Sequence, residues 1–162
     1  MSLKYFDGLD FYSATGDLAT AHISNVTAVP YTSGGRFGGG RVDVAGSNYL
    51  LVCNPWVYTP AASIFQFAYK HSTGVGSNGR VAWIYLDGSG KVKLNLTATG
   101  ALQLVNAAGV TVATSASGLI RAGVWHYFEI KCISDDAGTF VCKVDGLTIF
   151  SYLGTIDTYV ST

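Results

Sequence analysis

Few side chains in this sequence are spaced for catalysis. Glycoside hydrolysis on a β-sheet scaffold uses two carboxylates about 5 to 9 Å apart, but Glu129 is the only glutamate and most aspartates fall at turns. The histidines, His22, His71 and His126, stand too far apart for a metal or acyl-transfer motif. We therefore expect no enzyme activity, no catalytic residue and no metal ligand set from these motifs.

Two glycine-rich segments have the composition of phosphate-binding loops. Residues 74–79 read Gly-Val-Gly-Ser-Asn-Gly, which matches the dinucleotide pattern. That pattern works only where it opens a helix, and residues 80–86 read as a strand, so we expect a hairpin loop here. Residues 34–41 lack the Lys-Ser/Thr pair of a phosphate loop, and we expect a tight backbone crossing near Phe37. Neither segment predicts a cofactor.

Aromatic residues make up 13% of the chain and could stack on sugar rings. Trp56 and Tyr58 lie in the loop-like segment 54–60 and are the candidates for a carbohydrate-binding site. The wider set of candidates is Tyr49, Trp83, Tyr85, Trp125, Tyr152 and Tyr159. Packing in a core is the alternative for each of them. A calcium ion bound by loop oxygens around Asp87, or around Asp135 and Asp136, is also left open.

The composition limits the kinds of molecule that the protein is expected to bind. Lysines and arginines balance aspartates and glutamates at zero net charge, and charged residues are only 12% of the chain. This balance predicts no nucleic-acid partner, and no apolar run approaches the ~20 residues that span a bilayer, so no membrane partner is expected. A neutral surface gives poor colloidal protection, which suits a subunit packed in a homo-oligomer or multi-copy assembly.

The amino terminus and the cysteines bear on localisation. Residues 1–7 contain one lysine but no apolar segment of the kind found in secretory signals, so we expect synthesis in a cytoplasm. The three cysteines, Cys53, Cys132 and Cys142, are then expected as free thiols.

Period-two alternation between glycine-containing turns predicts an all-β fold. The predicted strands are 3–12, 21–31, 41–45, 48–54, 63–70, 80–87, 91–97, 101–106, 110–115, 124–134, 139–145 and 147–152. So many short strands predict two antiparallel sheets packed face to face, in a single domain spanning 1–162.

The late hairpin can be interpreted residue by residue. A three-residue loop at 136–138, with Gly138 left-handed, would place Cys132 opposite Cys142. His126, Phe128 and Ile130 would then share the inner face, with Glu129, Lys131 and Lys143 pointing outward. Buried, reduced thiols are favoured over a disulfide.

Several segments together resemble a known family. They are Phe6–Tyr12, Gly35–Gly39, Gly123–Lys131 with its Trp-His-Tyr, and Val141–Gly146 with its Val-Asp-Gly. In this combination the chain resembles the concanavalin A-like lectin/glucanase (laminin G-like) jelly rolls of tailed-bacteriophage virion proteins. The resemblance implies a two-sheet antiparallel jelly-roll sandwich and a role in particle assembly or host-surface attachment.

The resemblance has two departures. The acidic cluster of the glucanase branch is missing, so no catalytic residue carries over. The chain also ends at Thr162, where related domains continue, so residues 155–160 either close a sheet or leave its edge bare.

The leading hypothesis is a non-enzymatic virion structural protein, a head decoration or tail-associated subunit that contacts other virion proteins. The alternative is a lectin-like module that binds host glycan.

Overall fold

The computed structural model describes residues 23–24, 31–33, 40–42, 51–52, 63–71, 79–85, 91–133, 135, 137–156 and 158. The chain divides into two compact units, Met1–Tyr58 and Thr59–Thr162. The expectation of one domain over 1–162 stays a prediction. Predicted strand 3–12 lies outside the described residues.

Among the described residues, the first unit has four short strands. They are β1 (Ile23–Ser24), β2 (Tyr31–Ser33), β3 (Gly40–Val42) and β4 (Leu51–Val52). β1 pairs antiparallel with β4, and β2 pairs antiparallel with β3. Ser33 is opposite Gly40, so the glycine-rich stretch joins two paired strands, while residues 34–39 themselves lie outside the described part.

The second unit is a β-sandwich of two four-stranded antiparallel sheets. Its strands are β5 (Ser63–Tyr69), β6 (Gly79–Tyr85), β7 (Lys91–Leu96), β8 (Leu102–Val105), β9 (Thr111–Thr114), β10 (His126–Ile133), β11 (Gly138–Val144) and β12 (Leu147–Ile156). Sheet I has the order β12-β11-β10-β5, and sheet II has the order β6-β7-β8-β9. No helix occurs among the described residues, and the all-β prediction is confirmed.

The apolar face of each sheet packs against that of the other because side chains alternate between the two faces of a strand. In β7, Val92, Leu94 and Leu96 are buried between half-buried Lys93 and Asn95, as predicted. The shared core combines sheet II with sheet I; its members are Val92, Leu94, Leu96, Leu102, Leu104, Ile120, Phe128, Ile130, Cys132, Phe140, Cys142, Val144, Phe150 and Ile156. Phe67 stacks on Phe128 with ring centroids 5.2 Å apart.

The late hairpin differs from its predicted register. Cys132 is opposite Phe140, and Cys142 is opposite Ile130, so the two thiols do not face each other. Ile133 pairs with Thr139, which makes the connection five residues long instead of three. Both cysteines are still buried and free, as predicted. The predicted faces are also confirmed, because a shift of two residues keeps every side chain on its side of the sheet.

The prediction of a left-handed Gly138 is also wrong, because Thr158 lies close to this glycine. Gly138 has no positive φ and is the first residue of β11. A Cβ there would collide with the Thr158 hydroxyl and lie 2.5 Å from the Ile133 carbonyl oxygen. The fully buried Thr158 donates its hydroxyl to the Ile133 carbonyl and closes the turn. Glycine is needed here for space.

The segment after β5 is another correction. Gly79 begins a strand, which confirms that the glycine pattern opens no helix. However, β5 pairs with β10 whereas β6 pairs with β7. The connection therefore crosses from sheet I to sheet II and is not a hairpin loop. Its residues 72–78 lie outside the described part of the chain.

The terminal segment pairs with β11 and then forms an edge. Ile156 is opposite Gly138, so the pairing extends beyond the predicted end of this strand at residue 152. Among the described strands, β11 is the single partner of β12. Two outcomes were expected for residues 155–160: closing a sheet, or leaving its edge bare. Up to Ile156 both occur, because the segment joins sheet I and is the outermost of its described strands.

Candidate functional site

The most polar part of the sandwich is a cluster at the end where β10 begins, which we name the loop end: His71, Thr99, Arg121, His126 and Asp145. His126 is only 4% exposed. Its Nδ1 lies 2.7 Å from Asp145 Oδ2, and its Nε2 accepts the Arg121 backbone N–H at 3.1 Å. With Nε2 occupied as an acceptor, the ring proton belongs on Nδ1, where it is donated to the carboxylate.

The turn between β11 and β12 positions Asp145. Asp145 and Gly146 have φ values of 51° and 82°, which identify the two-residue type I′ turn favoured by Asp-Gly. This geometry places Asp145 Oδ1 to accept the Tyr127 backbone N–H at 2.8 Å, while the Asp145 N–H is donated to the Tyr127 carbonyl at 2.8 Å. The Val-Asp-Gly and Trp-His-Tyr segments are therefore bonded to each other.

A His-Asp pair is the arrangement that activates a nucleophile in many hydrolases. In that role the second ring nitrogen must face the reacting group. Here the Arg121 N–H occupies Nε2 of His126, so the pair ties the loop before β10 to the β11–β12 turn. In this arrangement both ring nitrogens of His126 are engaged in hydrogen bonds.

A shallow pocket of about 320 Å³ lies beside this pair. Thr99 and Arg121 are exposed on its walls, with His71 at one side. The Thr99 hydroxyl is within hydrogen-bond distance of the hydroxyls of Thr97, at 3.0 Å, and Ser117, at 3.3 Å. A threonine and an arginine thus line the pocket, and their side chains are of the types that bind hydroxylated or anionic ligands.

His71 differs from His126 in having no partner for one ring nitrogen. Nδ1 of His71 is buried and has no hydrogen-bond partner among the described residues. Desolvation, followed by the repulsion of His126, lowers the pKa of His71 below its ordinary value. His71 therefore favours the neutral form in the folded protein.

A second region has the opposite character. We name it the β9–β12 side: the edge strand β9 of sheet II with Val110, and the edge strand β12 of sheet I. The Tyr152 hydroxyl donates to the Val112 carbonyl at 3.3 Å, which places the two edges on the same side of the sandwich. No charged residue occurs in 94–120 or in 146–156. Both edges are consequently without charge.

The β9–β12 side also exposes large apolar side chains. Leu147 and Leu153 are 65% and 68% exposed, and Val110 and Val112 are 56% and 36% exposed. An edge strand presents unpaired backbone N–H and C=O groups, and proteins usually protect it with charges or proline. β12 contains neither, but its register against β11 shifts twice and Gly154 has a φ of 69°. Residues 150–152 form the regular run between the two shifts, and this run is the part of β12 best suited to pairing with another strand.

The outer face of sheet I, by contrast, is charged. Lys143 Nζ lies 3.8 Å from Glu129 Oε2 across neighbouring strands, and Lys131 lies on the same face. Ile64 on the far edge strand, β5, is 50% exposed between these polar residues. These charges lie on β10 and β11, and Lys143 is opposite Thr148 of β12.

The predicted carbohydrate-binding residues, Trp56 and Tyr58, lie outside the described residues. Among the other aromatic candidates, Tyr49 and Tyr159 also lie outside, and Trp83 and Tyr85 belong to β6. Trp125 is half-buried, with the Lys70 ammonium 5.4 Å from its ring centroid. Tyr152 is half-buried and bonded to Val112. Trp125 and Tyr152 thus have separate partners, Lys70 and Val112.

At Asp135, one of the possible calcium sites, the backbone carbonyl already has hydrogen-bond partners. The Asp135 carbonyl accepts both the Thr158 hydroxyl, at 3.0 Å, and the Thr158 N–H, at 3.1 Å. Asp87 and Asp136 lie outside the described residues. Within the described ranges, no cluster of three His, Cys, Asp or Glu side chains could hold a metal ion.

The two buried thiols form no site. Burial raises the pKa of both Cys132 and Cys142 to about 12. A thiol is nucleophilic only as the thiolate, so both act as small core residues.

Sequence reasoning missed two features. One is the bond between His126 and Asp145, which the Trp-His-Tyr and Val-Asp-Gly segments carry without any local sign of their contact. The other is the exposure of Leu147 and Leu153, for which the uncharged run 146–156 was an available signal.

The described part of the chain contains no helix long and apolar enough to cross a membrane. Comparison with protein-family models, curated proteins and solved structures finds no match to this chain.

Proposed function

We propose that this chain is a non-enzymatic structural subunit of a bacteriophage virion, either a head decoration or a tail-associated protein, that contacts other virion proteins. The observation that carries the proposal is the β9–β12 side, where two uncharged sheet edges expose aliphatic side chains on the same side of the sandwich. Such a surface is suited to association and has no groups for catalysis.

The proposed fold is a concanavalin A-like jelly roll. The two antiparallel sheets and the transfer of the chain between them after β5 support it. The bond between His126 and Asp145 joins the two segments, Trp-His-Tyr and Val-Asp-Gly, that carry the family resemblance.

The proposed location is the virion, after synthesis in the host cytoplasm. Two observations support it. The buried thiols of Cys132 and Cys142 are unpaired, as in a reducing compartment. The zero net charge also makes dense packing of many copies free of long-range repulsion.

Quantitative mass spectrometry of purified particles tests this function. An epitope-tagged full chain, supplied during infection, should co-purify with particles at a fixed copy number, in hundreds for a decoration protein and in a few for a tail-tip protein. A tagged chain that stays in the soluble fraction, with its untagged form equally absent from particles, contradicts the proposal.

A second candidate function is binding of host glycan, as a lectin-like module. The pocket at the loop end supports it, because Thr99 and Arg121 place hydroxyl and guanidinium groups together on an exposed surface. Trp56 and Tyr58 remain its predicted stacking residues.

A glycan array separates the two candidates. Glycan binding by the parent chain that is lost in Arg121→Ala, or in the Trp56→Ala, Tyr58→Ala double variant, supports the lectin function. The matched control is Lys131→Ala, a cation on the outer face of sheet I. No binding by the parent, or equal loss in the control, contradicts it.

A further inference from the structure

We propose that the β9–β12 side is a contact between two copies of this chain, in which β12 pairs antiparallel with β12 of the second copy. The inference rests on the proposed assembly function and identifies the partner of this side as a second copy of the chain. It follows from the backbone, the side chains and the charges of the two edges.

The backbone argument concerns β12. One side of this strand pairs with β11, and on the other side no described strand pairs with it. Unpaired N–H and C=O groups along an edge form a template for one more antiparallel strand, and in β12 the regular run at residues 150–152 supplies that template.

The side-chain argument concerns what the pairing would cover. Leu147 and Leu153 are the most exposed of the large apolar residues in the described chain. Removing such side chains from water is favourable in proportion to the apolar area buried. A strand laid along β12 would cover part of both.

Geometry favours a second copy as the occupant. The edges of both sheets lie on this side, joined by the Tyr152–Val112 hydrogen bond. A single two-fold axis perpendicular to the sheets brings β12 to β12 and places both copies of β9 on the same side of the contact. A two-fold interface of this kind is the commonest in homo-oligomers.

Charge supports the same choice. A partner recognised by its charge would need opposite charges on this side, and residues 94–120 and 146–156 have none. Two copies of an uncharged edge meet without like-charge repulsion. The chain as a whole also carries zero net charge, so approach of a second copy is not opposed at long range.

Sedimentation velocity of the full chain across a wide concentration range tests the contact. We expect a monomer–dimer equilibrium that Leu153→Lys weakens at least ~tenfold, because the symmetric contact receives the new ammonium group from both copies and like charges oppose each other there. The matched control is Ile64→Lys, an equally drastic change at a 50%-exposed site on the far edge of sheet I, which should leave the equilibrium unchanged.

A second pair of variants keeps the test independent of folding defects. Leu147→Lys, at the other exposed leucine, should weaken association less than Leu153→Lys, because only one position of an antiparallel two-fold pair faces its own copy. Both variants should retain the parent circular dichroism spectrum. Mixing Leu153→Lys with Leu153→Glu should restore association, because each edge then meets the opposite charge.

Two results would overturn the inference: a chain that is monomeric at every concentration, or a dimer that Ile64→Lys and Leu153→Lys weaken equally. A monomer whose β12 becomes protected only inside particles assigns the edge to a different virion protein and likewise overturns it. A dimer that never enters particles leaves this contact standing and contradicts the proposed function, so the two failures are distinguishable.

Discussion

The loop end and the β9–β12 side use their backbone and polar groups in opposite ways. At the loop end, both ring nitrogens of His126 and both carboxylate oxygens of Asp145 are engaged in hydrogen bonds. On the β9–β12 side, the outer row of backbone groups of β12 has no described partner strand, and Leu147 and Leu153 are exposed. His126 and Asp145, whose side chains are the more reactive, thus have the more complete set of hydrogen bonds.

This difference supports the proposed assembly function. A His-Asp pair would be the first candidate for catalysis in a sequence-based search, yet its bonds fix one loop to one turn. The neutral edge contains no residue type associated with chemistry, but it retains unused hydrogen-bonding capacity and apolar surface, which are the ingredients of association.

The largest expected effect concerns the reactivity of the two cysteines buried in the core of the sandwich. With burial raising the pKa of Cys132 and Cys142 from 9.0 to about 12, the folded thiols should react with iodoacetamide at least ~tenfold more slowly than free thiols, because less thiolate is present. Labelling kinetics in a Cys53→Ala background measure this. Rapid labelling of the folded chain would show that the interior is open.

The same shifts predict loss of stability at high pH. Below pH 9.0 the thiols are protonated in both states, and their contribution is fully present. Above it, the unfolded chain releases protons that the folded chain retains, so stability falls as pH rises toward 12. Urea denaturation at increasing pH checks the sign. A Cys132→Ala, Cys142→Ala variant should show a weaker dependence.

The next effect tests how tightly the loop end is packed. Gly100 and Gly109 have φ values of 74° and 84°, but a Cβ on Gly100 would lie 2.5 Å from the Ile120 carbonyl oxygen, whereas one on Gly109 meets nothing within 4 Å. We expect Gly109→Ala to cost about 1–2 kcal/mol for the left-handed backbone, and Gly100→Ala at least ~1 kcal/mol more for the collision. Chemical denaturation measures both. Equal costs of the two substitutions would mean that the backbone around Gly100 shifts easily to make room for the new Cβ.

A third effect tests the His126–Asp145 bond as a structural tie. Asp145→Ala leaves the buried His126 and the Tyr127 N–H without their acceptor and should cost about 1–3 kcal/mol, to which the φ of 51° adds backbone strain because alanine tolerates the left-handed region less well than aspartate. The matched control is Asp135→Ala at the other hairpin turn, where the side chain accepts one N–H at 3.3 Å; its cost should be clearly smaller. A double-mutant cycle with His126→Ala isolates the pair. No coupling between the two sites would contradict the tie.

The smallest effect is the titration of His71. Its pKa is lower in the folded than in the unfolded chain, mainly because of desolvation. Above pH 6.5 the ring is neutral in both states, and below it the unfolded chain takes up the proton first, so stability falls as pH drops through the folded pKa. His71→Gln should flatten this decline in acid denaturation curves. An unchanged curve contradicts the role of His71.

The sequence was sufficient to predict the sandwich and most of its strands, because alternation and turn residues are local signals. Val92, Leu94 and Leu96 face inward, as their alternation with polar residues indicated. The register of the late hairpin was not predictable in this way. It depends on Thr158, twenty residues after Gly138, which closes the turn and fixes the loop length.

The candidate site was less predictable for the same reason. The contact between His126 and Asp145 joins the start of one strand to the end of the next, so neither local sequence indicates it. The Tyr152–Val112 bond, which places two edges on one side, crosses between the sheets. The uncharged runs were visible in the sequence, but only the strand order shows that they form adjacent edges.

Amide hydrogen exchange tests the central comparison most directly. In the dilute chain, the Tyr127 and Asp145 amides of the loop end should be protected, while alternate amides of β12 exchange rapidly. Raising the protein concentration should slow exchange in β12 and leave the far edge strand, β5, unchanged. If β12 exchanges at the same rate at every concentration, or is already protected in the dilute monomer, its edge is not an open contact and the account is contradicted.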